Sequence, residues 1–422
     1  MTGRDGQTAA APGAELSPLT SADATRGFEL GPIRPPSEAF SLLVRVVRNC
    51  MWNRCAFCPV YKGEKTSQRD LADVLADVDA MAAAAEVLRD RGWRATQVER
   101  GAGRRLPPGE LPPEAYQVEL FLRGGARTVF LQDADPCAVR PEKLAAVIAR
   151  VKARFPTIEQ VTTYGRARTL ARRAPEQLAL LHDAGLTRVH LGLESGSDEV
   201  LRAVDKGVTA DELVEAGQKV LGTGMELCYY VMPGLGGREA ATAAAHVAGT
   251  ARVIRAVAAA ASASAPSGAS RVAVGTAYPF VVRLRTTAVS PGTPLAERAA
   301  RGDFDLPDDV EVVRELRDLL VEVGGARFEL YSDHALNLLP EVEGSLPADR
   351  ERLLAILDDY LALPRSEQAL FAIGARLGLF RRLADLDDPQ RRAALEARLA
   401  GGRRPTSDEL LAAARDLRAR FI

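Results

Sequence analysis

Ser41-Leu-Leu-Val-Arg-Val-Val-Arg-Asn-Cys50-Met-Trp-Asn-Arg-Cys55-Ala-Phe-Cys58 is the stretch on which the reading of this chain turns. Its first eight residues, Ser41–Arg48, form an apolar run of strand length. A loop follows, Pro59-Val-Tyr-Lys-Gly-Glu64, and then a long helical pattern. Three cysteines therefore sit on a loop at the carboxyl end of a strand, spaced C-x4-C-x2-C. Three thiolates on one loop suit an iron–sulfur cluster that leaves one iron without a protein ligand.

Other uses of three cysteines can be weighed on the same residues. A structural zinc site takes four protein ligands; beyond the triad, the next cysteine is Cys137 and the nearest histidine is His182. A plant-type [2Fe–2S] centre shares the spacing but takes a fourth cysteine, which would have to be Cys137, beyond a long helix. Cysteines can also be small buried hydrophobes, although three within nine residues seldom are.

Outward from the triad, the chain alternates strands and helices. Leu71, Val74, Leu75, Val78, Met81, Ala85 and Leu88 recur at helical spacing, and Gly92 ends the pattern. Strands are predicted at 128–132, 160–164, 187–193, 226–232 and 280–286, with helices opening at Pro141, Pro175, Thr209 and residue 238. Six short apolar strands, each followed by a helix, imply parallel pairing and right-handed crossovers. A doubly wound open sheet would place a glycine-rich turn after its first strand, where this chain has cysteines. The expected fold is α/β: a partial (β/α)6 TIM-like barrel over 38–295, with insertions at about 93–125 and 258–275. Beyond Pro294 the strand signals stop, and a C-terminal helical domain is expected over 296–422.

Residues 1–37 are read as a disordered tail; the first 27 lack the basic start and apolar centre of a signal peptide. No run offers the ~20 apolar residues of a membrane span. Lys+Arg at 55 against Asp+Glu at 56 leaves a net charge of −1, without the basic excess of a nucleic-acid binder. Five cysteines are too few for a disulfide framework and fit a reducing cytoplasm.

The cysteine stretch resembles the cluster-binding loop of the radical S-adenosylmethionine (radical SAM) superfamily. The resemblance implies that Cys50, Cys55 and Cys58 hold a [4Fe–4S] cluster, although the commonest family spacing is C-x3-C-x2-C. It implies S-adenosyl-L-methionine as cofactor, chelated to the remaining iron and cleaved by one electron. The resulting 5′-deoxyadenosyl radical would abstract a hydrogen atom from a small-molecule or peptide substrate. A low-potential donor such as flavodoxin or ferredoxin, and oxygen sensitivity, are implied with it. Phe57 stands at the family's aromatic position before the third cysteine.

In β/α barrels the reactive groups lie at the carboxyl ends of the strands. Asp133 and Asp135 follow the second strand, where the family usually has a glycine-rich motif meeting the cofactor's amino group; turn and helix capping explains two acids equally well. Arg166 and Arg168 follow the third strand and could pair with a carboxylate. Glu194 and Ser195 follow the fourth, at the family's ribose-contacting position. Gly234 and Gly236 lie in a turn after the fifth, where the family's backbone approaches adenine. His334 and Asn337 are candidates for contact with substrate, against a packing role. Cys228 lies within a strand as a buried cysteine, and Cys137 is a candidate accessory ligand or hydrogen donor. A non-catalytic iron–sulfur carrier or sensor is the alternative function; it needs neither a barrel nor the Glu194 loop.

Overall fold

The computed structural model describes residues 16–90, 111–263, 277–400 and 405–421. Eight strands form one sheet in chain order: β1 (Leu42–Arg45), β2 (Thr128–Gln132), β3 (Gln160–Gly165), β4 (Arg188–Glu194), β5 (Glu226–Val231), β6 (Phe280–Leu284), β7 (Phe328–Tyr331) and β8 (Gly344–Leu346). The first six are followed by helices α1 (Leu71–Asp90), α2 (Pro141–Arg154), α3 (Pro175–Ala184), α4 (Ala210–Gly222), α5 (Ala240–Ala263) and α6 (Asp309–Glu322). The expected strand–helix alternation is present, and the sheet runs two strands further than expected.

The chain divides into two compact units, the first comprising 1–51, 63–190 and 223–225 and the second the rest. In the first unit β1 pairs parallel to β2, with Leu42 opposite Val129, and β2 pairs parallel to β3, with Thr128 opposite Gln160. The apolar run 41–48 does not continue as one strand: Val47–Arg48 leaves the sheet for a short antiparallel ribbon with Ser67–Gln68. Phe130, Tyr164 and His190 meet edge to face, and His190 Nε2 lies 3.2 Å from Glu38 Oε1. Glu38 is almost fully buried; burial opposes its charge, but His190 and Ser41 hold its carboxyl below the usual range.

One expectation is corrected here. The stretch 16–37, read as disordered tail, carries a helix at Ser21–Thr25 with a Thr20–Asp23 capping box. Glu29 pairs with Arg45 at 2.9 Å, Arg48 at 2.7 Å and Arg69 at 3.1 Å, and Gly31 N–H donates to Gln132 at 2.9 Å. These acid–guanidinium bonds order a segment whose composition carries little apolar surface; residues 1–15 lie outside the described residues. Residues 111–125, within the first expected insertion, pack as part of the fold. Their helix Tyr116–Arg123 buries Val118, Phe121 and Leu122, and the Gln117 amide bonds the backbone of Ser41 and Leu43. The rest of both expected insertions, 91–110 and 264–275, lies outside the described residues; 258–263 completes α5.

In the second unit β5 pairs parallel to β6, with Leu227 opposite Phe280, and β6 pairs parallel to β7, with Val281 opposite Glu329. β8 closes antiparallel on β7. In this core Tyr229 meets Phe280 edge to face, and Phe280 lies tilted against Phe328. The expected C-terminal helices are present at Arg350–Ala362, Arg365–Arg376, Pro389–Leu399 and Ser407–Leu417. The boundary at 295 is corrected, because β7 and β8 lie beyond it in the same sheet. They are four and three residues long, and buried Glu329 interrupts the apolar signal of β7. Glu329 is satisfied by Ala277 N–H and Ser345 Oγ, each at 2.8 Å. Asp309, at the start of α6, is buried between Arg376 at 2.6 Å and Arg418 at 3.4 Å. Burial alone would raise its pKa, but the two guanidiniums hold it below the usual range.

Candidate functional site

The cysteine loop Trp52–Lys62 belongs to the second unit and is pinned to the turn Asp205–Gly207. Trp52 Nε1 donates to Asp205 O at 2.6 Å, and Arg54 pairs with the Asp205 carboxylate at 2.9 Å. A side chain at Gly207 would run into the Trp52 ring, so the residue must be glycine for the loop to approach this closely. Ala56 N–H donates to Val204 O at 2.8 Å, and its carbonyl accepts from Leu295 N–H at 2.9 Å. Lys62 Nζ bonds the carbonyls of Asn53 at 3.1 Å and Cys55 at 3.0 Å. The local backbone is thus bonded inward.

Cys50, Cys55 and Cys58 are half-buried. Among the described residues no three His, Cys, Asp or Glu side chains converge as ligands of one metal ion. A four-iron cluster sets a different requirement, because each thiolate binds its own iron. Type, number and accessibility of the donors fit that group. Cys137 does not extend the set: it is buried, and burial followed by the Asp135 charge pushes its thiol well above the usual range. Cys228 is buried within β5, as expected.

Glu194 closes β4 in a left-handed conformation, φ 61°, inside a three-residue turn tied by Ser195 N–H to Leu193 O at 2.7 Å. A non-glycine residue held there is uncommon and marks a constrained position. Lys206 Nζ pairs with Glu194 Oε1 at 2.8 Å and stands 5.7 Å from the centre of the Phe57 ring. Two of the sequence-predicted residues, Phe57 and Glu194, are thereby brought together through a lysine that sequence reading missed. Gly192 makes room for this pair, since a Cβ there would overlap Glu194 Oε1 and crowd Lys206 Nζ.

Ser195 Oγ lies 2.8 Å from His246 Nδ1, and His246 Nε2 lies 3.3 Å from Glu315 Oε1. The same Glu315 oxygen accepts from Gly234 N–H at 2.8 Å. Serine, histidine and glutamate stand here in the order of a nucleophile relay, but Ser195 and His246 are buried and Ser195 Oγ also accepts Ser197 N–H at 3.1 Å. The chain is a strut between the turn after β4 and the turn after β5. Gly236 packs in that second turn against Ala243 and His246.

The first unit holds the other candidates. Asp133 is fully buried and pairs with Arg45 at 2.6 Å. Asp135 accepts from Thr169 Oγ1 at 2.5 Å and from Arg166 N–H at 3.3 Å. Burial pushes the Asp135 carboxyl up to about 6, against the Thr169 bond and the Arg166 charge. Arg166 and Arg168, both half-buried, flank the start of the helix Ala167–Arg172.

His334 and Asn337 lie in the second unit, after β7. Asn337 Oδ1 accepts Thr286 N–H at 2.9 Å and Oγ1 at 3.0 Å, while its Nδ2 donates to Leu284 O at 2.8 Å. That is the geometry of a packing residue. Burial, with the nearby Arg285 charge, lowers the His334 pKa to about 4. Its Nδ1 accepts Leu336 N–H at 3.2 Å. Among the described residues no helix is long and apolar enough to cross a membrane.

Comparison with known proteins finds likenesses among solved structures. Among solved structures, Elp3 from Methanocaldococcus infernus, with an N-terminal deletion, is 15% identical over 56% of this chain and 53% of its own, with a TM-score of 0.37. Methylornithine synthase (PylB) is 15% identical over 67% of this chain and 62% of its own, TM-score 0.37. The radical S-adenosylmethionine methyltransferase TsrM from Kitasatospora setae, with cobalamin and a [4Fe–4S] cluster bound, is 14% identical over 85% and 61%, TM-score 0.36. The chain thus spans less than two thirds of each of these three structures. No curated protein matches it. The family model described as "Radical SAM superfamily" matches residues 44–247, from within β1 through the cysteine triad and the Glu194 turn into α5. Over those residues this chain belongs to the radical SAM superfamily, whose enzymes use a [4Fe–4S] cluster and S-adenosylmethionine.

Proposed function

We propose that this radical SAM enzyme carries a single cluster on Cys50, Cys55 and Cys58 and abstracts a hydrogen atom from a small-molecule or peptide substrate. When bound, the cluster and S-adenosylmethionine supply the electron and the carbon radical for that step. The chain's own residues bind, orient and shield. Glu194 accepts the ribose hydroxyls through its second carboxylate oxygen, while Lys206 fixes the first. The backbone of the turn Gly234–Gly237 lies against the adenine, and the His246 strut holds both turns in register. The observation that carries this assignment is Glu194 itself: a carboxylate at the end of a barrel strand, in a left-handed conformation, braced by a lysine beside Phe57. Asp133 and Asp135 hold their loop and leave the cofactor's amino group to other acceptors. We place the enzyme in the cytoplasm, served by a low-potential flavodoxin- or ferredoxin-type donor.

The test is anaerobic reconstitution, reduction with dithionite and addition of S-adenosylmethionine, with 5′-deoxyadenosine assayed by chromatography beside Cys55→Ala. The expected outcome is formation by the wild type and loss of at least a hundredfold in the variant. A cluster that reduces fully yet yields no 5′-deoxyadenosine overturns the proposal in favour of an electron carrier or sensor.

A further inference from the structure

The cysteine loop is closed by its own last residues. Asn53 lies in the spacer between Cys50 and Cys55, which exceeds the commonest family spacing by one residue, and it stands in a left-handed conformation, φ 46°. Its Nδ2 donates to Tyr61 O, and Lys62 Nζ donates in return to Asn53 O at 3.1 Å. A second bond from the same ammonium reaches Cys55 O at 3.0 Å. The lysine side chain thus ends on the backbone of a residue proposed as a cluster ligand.

Its charge sets this lysine apart from the other cations around the loop. Arg54 pairs with the Asp205 carboxylate at 2.9 Å and lies 4.9 Å from the centre of the Trp52 ring. Lys206 pairs with Glu194 at 2.8 Å. Lys62 is half-buried, and among the described residues its ammonium meets carbonyls and no carboxylate. Two of its three donors are used in this way. Neutral carbonyls hold the ammonium in place without cancelling its charge. Closing the loop needs only a donor, and a charge kept beside a ligand's own carbonyl can do more.

We infer that Lys62 tunes the cluster: its ammonium, anchored on the Cys55 carbonyl, raises the reduction potential and eases the one-electron reduction that the proposed reaction needs. Net charge, hydrogen bonding and solvent exposure set the potential of an iron–sulfur centre. Gaining an electron makes the centre more negative, and a cation held nearby favours that form. The electron comes from the low-potential donor, and no bond or proton moves in the step. The inference rests on the proposed ligation by Cys50, Cys55 and Cys58.

The anaerobically reconstituted full chain is titrated with dithionite at controlled potential, without S-adenosylmethionine, and the reduced cluster is read by electron paramagnetic resonance. Lys62→Met keeps the length of the side chain without donor or charge, Lys62→Gln keeps a donor without charge, and Lys62→Arg keeps both. At the wild-type midpoint, the ratio of reduced to oxidised cluster should fall about threefold or more in the Met and Gln variants and stay within about twofold in Lys62→Arg. A midpoint shared by all four proteins overturns the inference. So does a shift in Lys62→Met that Lys62→Gln restores, which would leave the lysine as a donor that closes the loop. Loss of the cluster from both neutral variants would overturn it in the same way. Iron content tests the ligation separately. A wild type without a cluster ends both readings, whereas an intact cluster with an unmoved midpoint ends this one alone.

Discussion

The loop after β2 and the loop after β4 begin alike, with an acid following an apolar strand, and their acids end in different circumstances. Asp133 is fully buried against Arg45, and Asp135 is buried against the Thr169 hydroxyl and the Arg166 backbone. Glu194 is held by one oxygen, through a lysine, in a turn whose backbone is itself constrained. Position after a strand therefore does not make an acid functional. What separates the two loops is how much of each carboxylate the protein's own groups already occupy.

The hardest break of this comparison is Asp133→Ala. Removing one partner of a buried ion pair leaves the other charge uncompensated and costs about 3–5 kcal/mol. The expected loss is about 3 kcal/mol, the low end of that range, because Glu29 still pairs with Arg45. Urea unfolding of the anaerobic protein measures it. A loss of S-adenosylmethionine affinity without a loss of stability would move Asp133 into the cofactor site.

Asp135 sharpens the contrast through pH. Its folded pKa, about 6, lies above its ordinary value of 3.8, so the folded state binds the extra proton. Its contribution to stability is thus fully present below about pH 4 and is lost as pH rises through 6. The amount is on the order of 2–3 kcal/mol. The difference in unfolding free energy between wild type and Asp135→Asn, followed from pH 4 to 7, should fall by that amount. A flat difference would show that the carboxyl titrates normally.

The smallest expected effect is the most specific. Glu194→Gln keeps the size of the side chain and removes the charge that pairs with Lys206. Loss of charge-assisted bonds to ribose should weaken S-adenosylmethionine binding about tenfold, or roughly 1.4 kcal/mol. Asp135→Asn should leave that affinity within twofold. Equal effects of the two variants in equilibrium dialysis would erase the distinction between the loops.

Much of the barrel was legible because its strands are short apolar runs closed by recognisable helix starts. The strands at 128–132 and 226–232 are found within one residue of their expected limits. β7 and β8 were not legible, since Glu329 breaks the apolar signal of one and the other has three residues. The ordering of 16–37 was hidden because Glu29 acts through arginines distant in sequence. At the candidate site, Glu194 and Phe57 could be read from position, but Lys206 and Glu315 could not. Their roles come from pairings across folded loops, which the local sequence around each residue does not show.

The histidine strut also has a bearing on how this protein can vary. His246 stands two turns from the start of α5, and that helix runs on to Ala263. At 1.5 Å per residue, about 25 Å of helix separates the histidine from the Ala/Ser-rich stretch that follows. A lineage could lengthen, shorten or rewrite that stretch while the end of the helix that braces the two turns keeps its place. Drift in sequence is admitted at one end of a rod and kept from the chemistry at the other.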